Sequence, residues 1–316
     1  MGIVVGSSAF AETIFDSRKT LWDGLGEKVE GAQTSEMAIK LAGLDWKVEP
    51  KKIFTEDGSE VPDAYANVRD KDNKVLGVVG ARYQIVQNSD AFSFTDSLLG
   101  EGVTYETAGA LKGGKQIWLL AKLPDQYKIL GDEVTPYLVF SNSFDGSGSI
   151  RVAMTPVRVW CKNTLNLALK TSKRSWNARH SGAIAAKLEQ AKQTLNLAVD
   201  YMDSLNETFE DLYKVKLNKD KVVSLVDTLI PVSDDMTQRV KDNQERIKSD
   251  IFFRYEEAPD LKDREETGAR FIQAISDSVS HIQPARLTQN YQANFFASML
   301  NGNDMLDRAM SLVMAA

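Results

Sequence analysis

Between Gly146 and Leu188 the chain carries eight basic side chains and not one Asp or Glu. They are Arg151, Arg158, Lys162, Lys170, Lys173, Arg174, Arg179 and Lys187, with Trp160, Trp176 and His180 spaced among them. The whole chain holds 38 Lys and Arg against 44 Asp and Glu, a net charge of −6, so everything outside this stretch sums to −14. A cationic island in an acidic chain is a local feature, and the chemistry it suits is the grip of a polyanion. Flat rings among cations suit unstacked bases, each worth roughly 1–3 kcal/mol of stacking. Arg151, Arg158, Lys162, Lys170, Lys173, Arg174 and Arg179 are therefore the candidate phosphate ligands, and Trp176 and His180 the candidate stacking rings. The competing reading is an amphipathic strand–helix unit whose cations pair with the acidic remainder.

Other chemistries find less support. Two histidines and one cysteine, far apart, make no metal-ligand spacing. There is no GxxxxGK[ST] phosphate loop and no GxGxxG opening a helix. Gly146-Ser147-Gly148-Ser149 lacks the lysine and third glycine of such loops and reads as a tight turn between strands. Asp63, Asp70, Asp72 and Asp90 could hold a divalent cation in principle, but their spacing matches no defensible site. The expectation is thus a protein without cofactor or metal that is not an enzyme. Cys161 cannot form an internal disulfide and sits in the apolar run VRVWC, as a small core residue does. No stretch nears the roughly 20 apolar residues of a membrane span, and the first residues lack a basic leader. A cytoplasmic protein with no membrane partner is expected.

The elements that must position these residues follow from periodicity and punctuation. Residues 1–34, punctuated by glycine, read as a flexible arm. A helix runs from Ser35 to Gly43, and an extended segment starts at Trp46. Residues 61–86 alternate as strand, turn and strand about Asp70–Asn73. A short helix follows Asn88 and ends at Gly100. Hairpins then turn at Gly113-Gly114, flanked by Lys112 and Lys115, and at Asp145-Gly146. A helix is expected through LNLALK after Thr164, then a basic loop TSKRSWNARHSG, then a long helix over 183–213. Its apolar stripe includes Tyr201, Met202, Leu205, Phe209 and Leu212. Residues 214–316 read as five helices. The fold class is α+β: an antiparallel meander backed by helices over 35–213, followed by an all-α region over 214–316.

The segments GVVGARYQIVQNSDAF, YETAGALKGGKQIWLLAKLP and SNSFDGSGSIRVAMTPVRVWCKNTLNLAL, then a Trp and ARH before a long helix, resemble the phage/plasmid-like protein family, domain-of-unknown-function family 932. The resemblance spans about residues 40–300 and implies a phage or plasmid setting in a bacterial cell. By order of elements alone, the meander is similar to the core of single-strand-annealing recombinases, the RecT, Red-beta and Erf groups and the eukaryotic annealing protein. That likeness implies an oligomeric ring or filament that binds and anneals single-stranded DNA without a nucleotide cofactor. The alternative is a protein-interaction factor, a scaffold or an inhibitor of a host system, using the acidic helical half and no nucleic acid.

Overall fold

The computed structural model describes residues 25–96, 102–158, 164–169, 174–182, 194–282, 286, 288 and 291–316. Two antiparallel sheets are present. The larger contains β1 (Glu27–Lys28), β5 (Thr104–Leu111), β6 (Gln116–Lys122), β8 (Asp132–Ser143), β9 (Ile150–Arg158) and β10 (Ser175–Ala178) in that spatial order, with β7 (Tyr127–Ile129) pairing on β8. The smaller is the meander β2 (Val48–Phe54), β3 (Glu60–Arg69) and β4 (Val75–Gly80). The expected hairpins form where the turn residues require them. Gly113 and Gly114 take positive φ of 69° and 99°, which sets Leu111 opposite Gln116. At the β8–β9 turn, the Asp145 carboxylate accepts from the Ser147 backbone N–H at 2.9 Å and Gly146 supplies φ of 74°.

Eight helices follow in chain order among the described residues: α1 (Ser35–Leu41), α2 (Asn88–Phe92), α3 (Thr194–Lys214), α4 (Lys219–Leu229), α5 (Gln238–Glu257), α6 (Gly268–His281), α7 (Tyr291–Asn301) and α8 (Asp304–Met314). None is long and apolar enough to cross a membrane. Helix α3 buries the expected stripe, Tyr201, Met202, Leu205, Phe209 and Leu212. Helix α6 is buried at eleven successive positions, Gly268–Ser278. It lies so close to its neighbours that a Cβ on Gly268 would stand 2.8 Å from the Leu212 carbonyl. The fold is thus α+β with antiparallel sheets and a helical C-terminal region. One apolar cluster runs from Val29 through the sheets to Val313, on both sides of residue 214.

Several local expectations are corrected. The end of the N-terminal segment is packed, since β1 pairs with β5 and Val29 and Ala32 are buried; residues 1–24 lie outside the described residues. Thr34, not Ser35, caps α1 by accepting from the Met37 N–H. Thr164–Leu169 is not helical. Its backbone is taken up by tertiary partners instead: Leu165 N–H donates to the Pro156 carbonyl, Ser276 Oγ to that of Thr164, and Tyr201 to that of Leu167. A segment so bonded has no use for a helical ladder. Ser175–Ala178, expected as loop, pairs with β9 as its outer neighbour. The returning strand of the hairpin expected over 61–86, β4, ends at Gly80 rather than near Val86.

Candidate nucleic-acid interface

Strand β9 has a period of two, so Arg151 and Arg158 point to opposite faces of the larger sheet. Its pairing with β8 is continuous from Val134↔Arg158 to Ser141↔Arg151, so no bulge alters this. The face of Val152, Met154 and Arg158 is covered by the helices of the main core. Arg158 is therefore 1% exposed, paired with Asp132 at 2.7 Å and Asp260 at 2.9 Å. Asp132 also accepts from Arg264 and, at 3.1 Å, from Gln273. This corrects the assignment of Arg158 to phosphate binding: a charge buried there requires internal carboxylates.

Arg174 likewise does not line the cleft in this structure. It is buried, and it donates to the carbonyls of Met154 at 3.0 Å and Leu300 at 2.9 Å. Trp176 is half-buried on β10 and packs against the main core, where the fold already uses its ring. Lys162, Lys170 and Lys173 lie outside the described residues, as do Trp160 and Cys161.

Arg151, Arg179 and His180 do come together. They line a cleft of about 1240 Å³ between the end of the small sheet, the β8–β9 turn and α7. Arg82, just past β4, adds a third guanidinium to the same cleft, exposed like that of Arg179 while Arg151 is half-buried, and Asp63 is the one carboxylate there among the described residues. Sequence charge alone did not single out Arg82, since it lies outside the basic island, and the period-two reading carries the strand past it to Val86.

The local sequence builds this cleft. Gly77 on β4 lets the small sheet touch the β8–β9 turn; a Cβ there would lie 2.4 Å from the Asp145 Cα. Three polar ties fix the contact. Asn67 Nδ2 donates to the Phe144 carbonyl at 2.7 Å, Tyr83 Oη to that of Ser143 at 2.6 Å, and Asn142 Nδ2 to that of Val86 at 2.9 Å. His180 stacks on Tyr83 with ring centroids 4.7 Å apart and planes 14° from parallel. Its Nδ1 lies 3.1 Å from the Gln84 carbonyl, which accepts and so fixes the Nδ1–H tautomer. Burial holds its imidazole below the usual value, the carbonyl bond opposing this in part. His180 is thus a neutral ring already stacked within the protein, which replaces its expected role as a base-stacking partner. Burial also lowers the pKa of Arg151, and the charge of Arg174 adds to that effect.

The fold and the cleft define an α+β protein whose helix-backed antiparallel sheet meets a small three-stranded sheet at an arginine-lined cleft. The chain belongs to the family described as Domain of unknown function (DUF932), which its residues 75–299 match. The matched span includes Arg82, Arg151, Arg179 and His180. No curated protein and no solved structure matches the chain.

Proposed function

We propose that this protein binds single-stranded DNA in the cleft and, as an oligomer, anneals complementary strands. The observation that carries the reading is the convergence of Arg82, Arg151 and Arg179 beside a glycine–serine turn on one open cleft. Three guanidiniums against one carboxylate make a local positive field in a chain of net charge −6. The volume of about 1240 Å³ exceeds the roughly 300–1,000 Å³ of ordinary small-molecule pockets, as an extended ligand requires. Guanidinium forks suit phosphate oxygens. The likeness in order of elements to annealing recombinases, read from the sequence alone, motivates the annealing step and ring or filament assembly by analogy of fold. No chemical step, cofactor or metal is part of this proposal.

Fluorescence anisotropy of a labelled oligothymidylate, titrated over a salt series, tests it. Affinity falls steeply with salt, with a logarithmic slope near −0.7 per neutralised phosphate. The double variant R82A/R179A flattens that slope by about 1.4 if each arginine meets one phosphate. Failure to retain the oligonucleotide at low salt removes the reading. A second reading, a protein-interaction factor, is favoured by Phe54, Val75 and Val78, three exposed apolar side chains on the small sheet. Co-purification of a stoichiometric protein partner, unaffected by R82A/R179A, decides for it.

A further inference from the structure

Helix α7 forms one wall of the cleft through Ala297, Leu300 and Asn301. It does not join the main core. Phe296 and Leu300 instead close a small separate cluster with Trp118, Leu120, Val139 and Ala153 on the opposite face of the larger sheet. The Phe296 and Trp118 rings lie 5.4 Å apart. The helix therefore covers a sheet face through a few apolar contacts, and its C-terminus gives way to Gly302 at φ of 91°.

What holds that C-terminus is unusual. Arg151 and Arg174 both donate to the Leu300 carbonyl, each at 2.9 Å, and Arg151 donates in addition to the Asn301 side-chain oxygen. Two full positive charges thus share a helix end that carries roughly half a negative charge. Arg174 has the Asp307 carboxylate nearby as a further compensating charge. The Nε of Arg151 is buried without a hydrogen-bond partner among the described residues. A phosphate oxygen would satisfy this pair of guanidiniums better than a peptide carbonyl does.

We infer that Arg151 and Arg174 form a second phosphate seat for a single strand, occupied by the C-terminal carbonyl of α7 until the strand displaces that helix from the sheet. The inference rests on the single-strand reading of the cleft and extends it. Lifting α7 uncovers the side of Trp118 that Phe296 covers, on the same sheet face as Arg151 and two strands from it. Cations next to a ring are the combination that grips unpaired nucleotides. The cost of opening lowers the apparent affinity of the closed protein by the fraction that is open.

Hydrogen exchange of the full chain, with and without an excess of oligothymidylate, tests this. Bound DNA speeds exchange over residues 291–301 and slows it over 146–151. Phe296→Ala, which weakens the seating of α7, tightens oligothymidylate binding several-fold. Unchanged or slower exchange over 291–301 in a wild-type protein that does bind the oligonucleotide overturns the displaced-helix inference and leaves the cleft reading intact. Equal or weaker binding by a folded Phe296→Ala protein also overturns it. If the wild-type protein retains no oligonucleotide at low salt, the cleft reading falls and this inference with it.

Discussion

Replacing Arg158 by Ala separates a structural role from a ligand-binding one. In the structure Arg158 is 1% exposed and lies between Asp132 and Asp260, whose side chains are 15% and 6% exposed. After the substitution Asp132 keeps Arg264 and Gln273. Asp260 loses the guanidinium that stands 2.9 Å from it in the fold. Removing one member of a buried ion pair costs about 3–5 kcal/mol, because the partner charge stays buried. For a chain of this length that lowers Tm by on the order of 5–8 °C. Adding Asp260→Asn removes the buried carboxylate charge that faced Arg158 and recovers part of the loss. Differential scanning fluorimetry gives Tm, and oligothymidylate anisotropy, read well below the new Tm, gives binding. The expected result is a large loss of stability with affinity unchanged. A variant with wild-type Tm and weakened binding would refute the reasoning, since Arg158 would then have to face the ligand.

The remaining predictions use the same two assays. Gly77→Ala forces a Cβ to within 2.4 Å of the Asp145 backbone and costs about 1–3 kcal/mol of stability by overpacking; because the β8–β9 turn must shift, oligonucleotide affinity falls with it. His180 has a folded pKa below the ordinary histidine value of about 6.5, so the unfolded chain takes up the proton first as pH falls. Its contribution to stability is therefore complete above about pH 6.5 and is lost as pH drops through that value toward the folded one. His180→Asn removes that part of the pH dependence of Tm, and a variant with an unchanged Tm profile between pH 7 and pH 5 would show that His180 is already solvated. Glu106, raised by burial despite Lys122, acts with the opposite sign: its carboxyl favours the folded state below its ordinary value, and that contribution is lost as pH rises through the raised folded value, so Glu106→Gln is more destabilising at low pH than at neutral pH, where it removes a half-buried charge.

Local chemistry in the chain sets many of the elements. Gly113-Gly114 and Asp145-Gly146 determine two hairpin turns, because positive φ and an Asx turn depend on the turn residues themselves. The three/four spacing of Tyr201, Met202, Leu205, Phe209 and Leu212 determines the buried stripe of α3. The density of positive charge between Gly146 and Leu188 is also a property of the sequence. The period of two along VRVWC and its preceding residues even places Arg151 and Arg158 on opposite faces of one strand. Which face is covered is another matter. Only the packing of the helices buries Arg158 against Asp132 and Asp260, residues far away in the chain, while leaving Arg151 at the cleft. Only the approach of Gly77 to the β8–β9 turn brings Arg82 beside Arg179. Tertiary partners also override the expected helix over Thr164–Leu169, since Pro156, Ser276 and Tyr201 take backbone hydrogen bonds of Leu165, Thr164 and Leu167. Charge and period are local quantities, whereas burial and partnership are sums over residues distant in sequence, and for that reason the island was legible and the cleft was not.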